Sequence, residues 1–185
     1  RIVPDLSGKA AIVTGCASGI GAATLKRLRE DGANVMGTDI DEAAGASLCQ
    51  ETGALFAVQD VSDRARWTGI VAAAVDAFGR LDILVNNAGI VSGASIGDVD
   101  DEVWDKVIAI NLTGTMAGCR AAIAAMKENP GGPKGSIINI SSTTAMAPLP
   151  TDVGYSASKA GVRVLSKSAA TWCAQQGYAI RCNTV

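Results

Sequence analysis

Histidine is missing from all 185 residues. Its absence excludes every Ser-His-Asp or Cys-His triad and every histidine-ligated metal site. Proton chemistry in this chain has to run on tyrosine, lysine, a carboxylate, cysteine or water. Aromatic residues are scarce too, at 4%, whereas 48% of residues are hydrophobic and 21 are glycine. Small and branched aliphatic side chains suit helices laid close on a sheet better than a β-sandwich. Neither sign of charge dominates: 16 basic and 18 acidic residues, interspersed, leave a formal charge of −2. No basic stripe points to nucleic acid. No uninterrupted apolar run reaches the roughly 18 residues of a membrane span, and no leader of the secretory type is read. Paired cysteines are lacking as well. The five present, at 16, 49, 119, 173 and 182, are odd in number and without CxxC spacing. That argues against a disulfide framework and against a zinc site. Free thiols and a cytoplasmic location are expected, and no metal.

What is there is a rhythm. Short β-branched runs alternate with longer helical stretches: Lys9–Gly15 as a strand, Gly19–Gly32 as a helix, Asn34–Asp39 as a strand, Asp41–Gly53 as a helix. A third strand is read at Ala54–Asp60, then a helix at Ser62–Gly79 with Ser62 as N-cap and Gly79 after its end. A fourth strand follows at Asp82–Gly89, a long helix at Asp101–Lys127, a loop at Asn129–Gly135 and a fifth strand at Ser136–Ser141. A helix over Tyr155–Gln176 leads into a sixth strand, where the chain stops at Val185. Strands separated by helices of this length predict an α/β fold: a doubly wound, Rossmann-like parallel sheet with helices on both faces. The expected strand order is 3-2-1-4-5-6, within a single dinucleotide-binding domain of length sufficient for a substantial core.

Two features give that fold a ligand. The first strand runs into TGCASGIG, Thr14 to Gly21. Gly15 permits a tight turn, Gly19 lets backbone approach a ligand, and Gly21 lets the helix pack close. The N–H groups of the helix start then face a pyrophosphate. Asp39 ends the second strand, where an acid can accept from the adenosine ribose hydroxyls; it could instead cap the next helix, as could Asp41. A carboxylate there repels a 2′-phosphate, and no Lys or Arg lies in GCASGIG or just after Asp39 to neutralise one. NAD is therefore expected over NADP.

TGCASGIG, NNAG at Asn86–Gly89, NLTG from Asn111, Ser141–Ser142 and YSASK at Tyr155–Lys159 occur in that order. Over its whole length the chain resembles the short-chain dehydrogenase/reductase family, whose GxxxGxG glycine spacing it shares. The resemblance implies hydride transfer between NAD(H) and a secondary alcohol or ketone. It assigns Tyr155 as proton donor or acceptor, Lys159 as its partner and holder of the nicotinamide ribose, Ser142 as holder of the substrate oxygen, and Asn111 as the end of a relay. Ser142 is preferred to Ser141 because it lies thirteen residues before the tyrosine. By position, Ser18 and Ile20 in the glycine turn, Asp60 and Val61 after the third strand, and Asn87 in NNAG carry over as cofactor contacts. Plainer roles exist for several of these: strand-end cap for Ser142, helix kink for Asn111, helix cap for Asp60, strand-end partner for Asn87. The chemistry fits the residues. An alcohol gives up hydride only as its hydroxyl proton is taken, and an ammonium beside a phenol favours the phenolate.

The resemblance also implies a homotetramer that pairs the helices near 101–127 and 155–176 across a two-fold axis; Val103, Ile110, Met116 and Ile123 spread apolar surface around the first of these. Family members continue past the sixth strand with a substrate-covering segment, so the chain is expected to be truncated there. Met146, Pro148, Leu149 and Pro150 would make an apolar wall for a hydrophobic or cyclic substrate. Two other readings fit part of the pattern: a non-catalytic NAD-binding scaffold, and an NADPH-dependent reductase of carrier-bound 3-ketoacyl groups.

Overall fold

Six parallel strands, each of four to six residues, form one sheet in the order β3-β2-β1-β4-β5-β6 in a computed structural model that describes residues 5–185. The strands are β1 Ala10–Thr14, β2 Asn34–Asp39, β3 Leu55–Val58, β4 Ile83–Asn86, β5 Lys134–Asn139 and β6 Ala179–Thr184. They are joined by α1 Gly19–Glu30, α2 Glu42–Thr52, α3 Arg66–Phe78, the segment α4 Asp101–Ile108 with α5 Thr115–Met126, and α6 Val153–Gln175. This is the expected order. β1 is buried along its whole length, and its side chains alternate between two cores. Ile12 packs with Trp67, Leu84, Met126 and Ile137 on the face covered by α3, α5 and α6. Ala11 and Val13 pack with Leu25, Val35 and Cys49 on the face covered by α1 and α2. All five cysteines are free and buried within these layers.

Three local expectations change. Ser62 does not cap α3: that helix starts four residues later, and its N-cap position, Ala65, carries no side-chain acceptor. Asp60 and Asp63 instead fold the preceding turn, accepting from the Ser62 and Ala65 N–H groups at 2.9 and 3.1 Å. The stretch read as one helix over 101–127 is interrupted by a π-helical turn at Ala109–Gly114, with Asn111 inside it. Such wide turns leave the i→i−4 ladder and are common at functional sites. Finally, Asp101–Met126 is long and apolar enough to cross a membrane by length and composition, with mean hydropathy 1.4 in its best window. Interior Arg120 and Asn111 kept it from reading as an apolar run. In the fold this segment packs on β4, β5 and α3, with 44% of that window buried.

Order reversal at β1, whose neighbours lead away in opposite directions, opens a crevice beyond the strand C-termini. The motifs singled out in the sequence come together there.

Candidate active site

A cleft of about 560 Å³ lies over the C-terminal ends of β1, β2, β3 and β4. Gly15, Ser18, Gly19, Ile20, Asp39, Asp60, Val61 and Asn87 all line it. The structure thus brings these eight expected residues together in one cleft. Gly21 lies buried behind the turn, where an added Cβ would strike the Gly15 carbonyl and approach Asn87 Nδ2 to 2.5 Å. Gly15 and Gly19 take φ of 65° and 53°, the left-handed region that glycine enters without strain. At Gly19 an added Cβ would meet nothing, so this part of the turn is open to a ligand. Ser18 stands at the N-cap of α1 but its side chain makes no capping bond, and the first turn holds no acid. The N–H groups and positive dipole end of α1 are therefore unneutralised, which fits a pyrophosphate.

Asp39 is not the cap of α2; Asp41 is, accepting from Ala44 N–H at 3.0 Å. Asp39 holds the turn instead. Its Oδ2 accepts from Ala17 N–H at 2.9 Å and its Oδ1 from Asp41 N–H at 3.0 Å. Each carboxylate oxygen keeps a further lone pair for ribose hydroxyls in the cleft. Asn87 plays its plainer role as well: Nδ2 donates to the Thr14 and Gly15 carbonyls, both at 3.0 Å. Asp60 Oδ1 is engaged by Ser62, and the Val61 carbonyl accepts from Trp67 Nε1 at 3.0 Å. Lys106, Ile40 and Ile110 also line the cleft. None was foreseen: Ile40 simply follows Asp39, whereas Lys106 on α4 and Ile110 in the π-helical turn reach the cleft only through the tertiary fold.

Lys159 and Tyr155 lie one turn apart on α6, with Lys159 Nζ 5.5 Å from the Tyr155 ring centre. Lys159 is only 4% exposed and donates to the Ile140 carbonyl at 2.7 Å. Burial pushes its ammonium down to about 8. The position of a Cβ added to Gly89 would be 3.5 Å from Lys159 Nζ and 3.2 Å from Asn111 Oδ1, so NNAG and YSASK converge where only glycine fits comfortably.

Ser141 and Ser142 separate cleanly. Ser141 Oγ donates to the Lys159 carbonyl at 3.0 Å and is used up in holding α6. Ser142 Oγ accepts from Thr144 N–H at 3.2 Å, which leaves its own hydrogen uncommitted among the described residues. It is both the strand-end cap and a free donor. The Asn111 side chain is fully committed. Oδ1 accepts from Ile90 N–H, and Nδ2 donates to the Ile90 carbonyl and to Ser158 Oγ, at 2.8, 2.8 and 3.0 Å. It therefore clamps the segment after NNAG to α6. Of the expected apolar wall, Pro148, Leu149 and Pro150 line a cavity of about 550 Å³ with Ile96, against the α6 flank that carries Ala157 and Ala160. Helical spacing turns that flank away from Tyr155 and Lys159. Met146 stands 67% exposed.

A family model described as short chain dehydrogenase matches residues 9–185. The chain is 44% identical over 182 residues to 3-beta-hydroxysteroid dehydrogenase of Comamonas testosteroni, covering 97% of this chain and 70% of that protein. It is 41% identical over 185 residues to 2,5-dichloro-2,5-cyclohexadiene-1,4-diol dehydrogenase of Sphingobium indicum, covering 97% and 72%. It is 42% identical over 184 residues to NADP-dependent (R)-specific alcohol dehydrogenase of Lentilactobacillus kefiri, again covering 97% and 72%. The chain belongs to the short-chain dehydrogenase/reductase family, oxidoreductases that work with nicotinamide cofactors.

Proposed function

We propose that the protein is an NAD-dependent dehydrogenase that interconverts a secondary alcohol and its ketone, with Ser142, Tyr155 and Lys159 carrying the proton chemistry. The observation behind this reading is the meeting of a buried Lys159, the adjacent Tyr155 ring and Gly89, which lines the cleft. When bound, the cofactor supplies the hydride acceptor or donor. The Ser142 hydrogen is free to bond the substrate oxygen, which holds the carbinol for attack. The Tyr155 hydroxyl makes no hydrogen bond to any described residue, so it is free to take or return the alcohol proton. Lys159, cationic below about 8, favours the phenolate and donates to the nicotinamide ribose. Asn111 supports both by fixing the Ile90 segment against Ser158. A buried Lys159 beside Tyr155, with the Ser142 hydrogen uncommitted, disfavours a non-catalytic scaffold, and Asp39 disfavours a reductase that depends on NADPH.

The substrate is proposed to be a hydrophobic or cyclic alcohol. Relatives named for hydroxysteroids and for a cyclohexadiene diol support this, as do exposed Val91 and Met146. A screen of cyclic and acyclic secondary alcohols with NAD, followed by the absorbance of reduced nicotinamide, tests the assignment. Absence of reduction with every member, beside measurable NAD binding, would favour the scaffold.

Cofactor affinity should depend on pH through Lys159. The ammonium is present below about 8 and is lost as pH rises through that value, so binding should weaken between pH 7 and 9. In Lys159→Met the affinity should be lower and flat across the same range. A flat profile in the parent protein contradicts the role.

We also propose a cytoplasmic homotetramer. Met116, Ile123, Leu165, Ala169 and Trp172 line an apolar groove of about 500 Å³ between α5 and α6. Trp172 and Val164 remain 47% and 67% exposed, which a two-fold partner would cover. A monomer by light scattering would refute the assembly.

A further inference from the structure

Three segments of the site meet at one residue that none of the motifs contains. Asp152 is 7% exposed and sits at the N-cap of α6. Its Oδ1 accepts from the Tyr155 N–H at 3.3 Å. The same oxygen accepts from the Ser92 N–H at 3.0 Å and from the Ser92 hydroxyl at close range. Its backbone N–H donates to the Leu149 carbonyl at 3.2 Å. One residue thus ties together the segment after NNAG, the loop after Ser142 and the first turn of the helix that carries Tyr155. The Val153 N–H to Ala94 carbonyl bond, at 3.1 Å, reinforces the first of these ties.

From this geometry we infer that Asp152 is a positioning residue for Tyr155, a role that rests on the function proposed above. Lys159 is anchored separately, through Nζ to the Ile140 carbonyl and through its own carbonyl to Ser141 Oγ. Loss of the Asp152 carboxylate therefore releases the Tyr155 end of α6 and leaves the Lys159 end in place. Burial pushes the Asp152 carboxyl up, but the Ser92 side-chain and backbone bonds, with those from Gly93 and Tyr155, outweigh it and hold the group below the usual range. It is ionised at neutral pH, and a carboxylate also suits the positive end of the helix.

The test compares Asp152→Ala, Asp152→Asn and Ser92→Ala in the purified protein, well below the unfolding temperature of each. Asp152→Ala should lower kcat about ten- to hundredfold, the scale of a small misplacement of a reacting group. Its cofactor Kd should stay within about twofold, and amide exchange at Tyr155 and Ser156 should quicken, as expected when a cap is lost. Asp152→Asn, which keeps an acceptor oxygen, should recover most of the rate. A purely structural cap predicts a lower Tm with kcat unchanged. Unchanged kcat in folded Asp152→Ala, or cofactor affinity falling in step with kcat, overturns the inference. If that variant does not fold, Ser92→Ala decides: it keeps the cap and the Ser92 N–H bond but removes the hydroxyl bond of the tie, and kcat should fall about threefold or more at constant cofactor affinity. An unchanged kcat there is equally fatal. Tyr155→Phe serves as control. If it is inactive while Asp152→Ala is normal, only this inference fails; if it is active, the proposed function itself fails.

Discussion

Replacing Tyr155 with phenylalanine should cut turnover of a secondary alcohol by about 10²–10⁴-fold, the usual worth of a positioned acid–base group. Cofactor affinity should remain within about twofold, and stability should hardly change, for a structural reason. The Tyr155 side chain is half-buried, and its hydroxyl has no hydrogen-bond partner among the described residues, so removing the oxygen orphans no buried group. The ring remains beside Lys159, and the lysine keeps its bond to the Ile140 carbonyl. What disappears is the one atom placed to carry the proton. A core tyrosine would behave differently: the substitution would leave the rate alone, and any loss of activity would follow loss of folded protein. Steady-state kinetics on a confirmed substrate, beside a cofactor titration of the same variant, separate the two. Parental turnover by Tyr155→Phe would end the catalytic assignment whatever the family membership.

Much of this site could be read before any coordinates, and the parts that could not share a physical cause. The strand order followed from the alternation of short β-branched runs with helices, because parallel strands need crossovers of that length. Asp39, Asp60 and Asn87 were placed by their position at strand ends. Their second roles were invisible: that Asp39 also pins the glycine turn through Ala17, and that Asn87 bonds the Thr14 and Gly15 carbonyls, depends on strand neighbours 22 and 73 residues away in sequence. Ser62 looked like a cap because a serine preceding a helical stretch usually is one. Asp60 and Asp63 instead took the Ser62 and Ala65 N–H groups into a turn, and the helix starts after it. The π-helical turn at Ala109–Gly114 left no periodicity signal. Its clearest trace was Asn111 in the middle of the long helical stretch, and the Asn111 clamp on Ile90 and Ser158 needs a loop and a second helix to exist. Asp152 carried a readable cap signal three residues before Tyr155, but its tie to Ser92 spans 60 residues. Local chemistry was legible; the sharing of one polar group between two jobs was not.

Cofactor choice is where that sharing matters most. NAD should bind the parent protein much more tightly than NADP, and Asp39→Ala should erase most of the difference. The Asp39 carboxylate is fixed by two backbone N–H groups, so it cannot swing away from an added 2′-phosphate, which carries a charge of about −1.5 to −2. Hydrogen bonds from ribose hydroxyls to a carboxylate contribute about 1.5–3 kcal/mol, so NAD affinity should fall about 10- to 100-fold in the variant. Lys106 lies in the same cleft and offers a cation that a 2′-phosphate could use once the carboxylate is gone. The NADP-dependent relative at 42% identity shows that proteins this similar include users of the other cofactor, which makes the experiment discriminating. Alanine alone is ambiguous, because it also orphans Ala17 N–H and loosens the glycine turn. Asp39→Asn resolves the ambiguity: the amide oxygen can still accept from Ala17 while the charge is removed. If repulsion sets the preference, the ratio of NADP to NAD affinity should rise in Asn as it does in Ala, while NAD binding suffers less. If turn geometry sets it, Asn should keep the parental ratio. Calorimetric titration of the three proteins with both cofactors reads these outcomes directly, and equal affinity for the two cofactors in the parent protein would remove Asp39 as the selector.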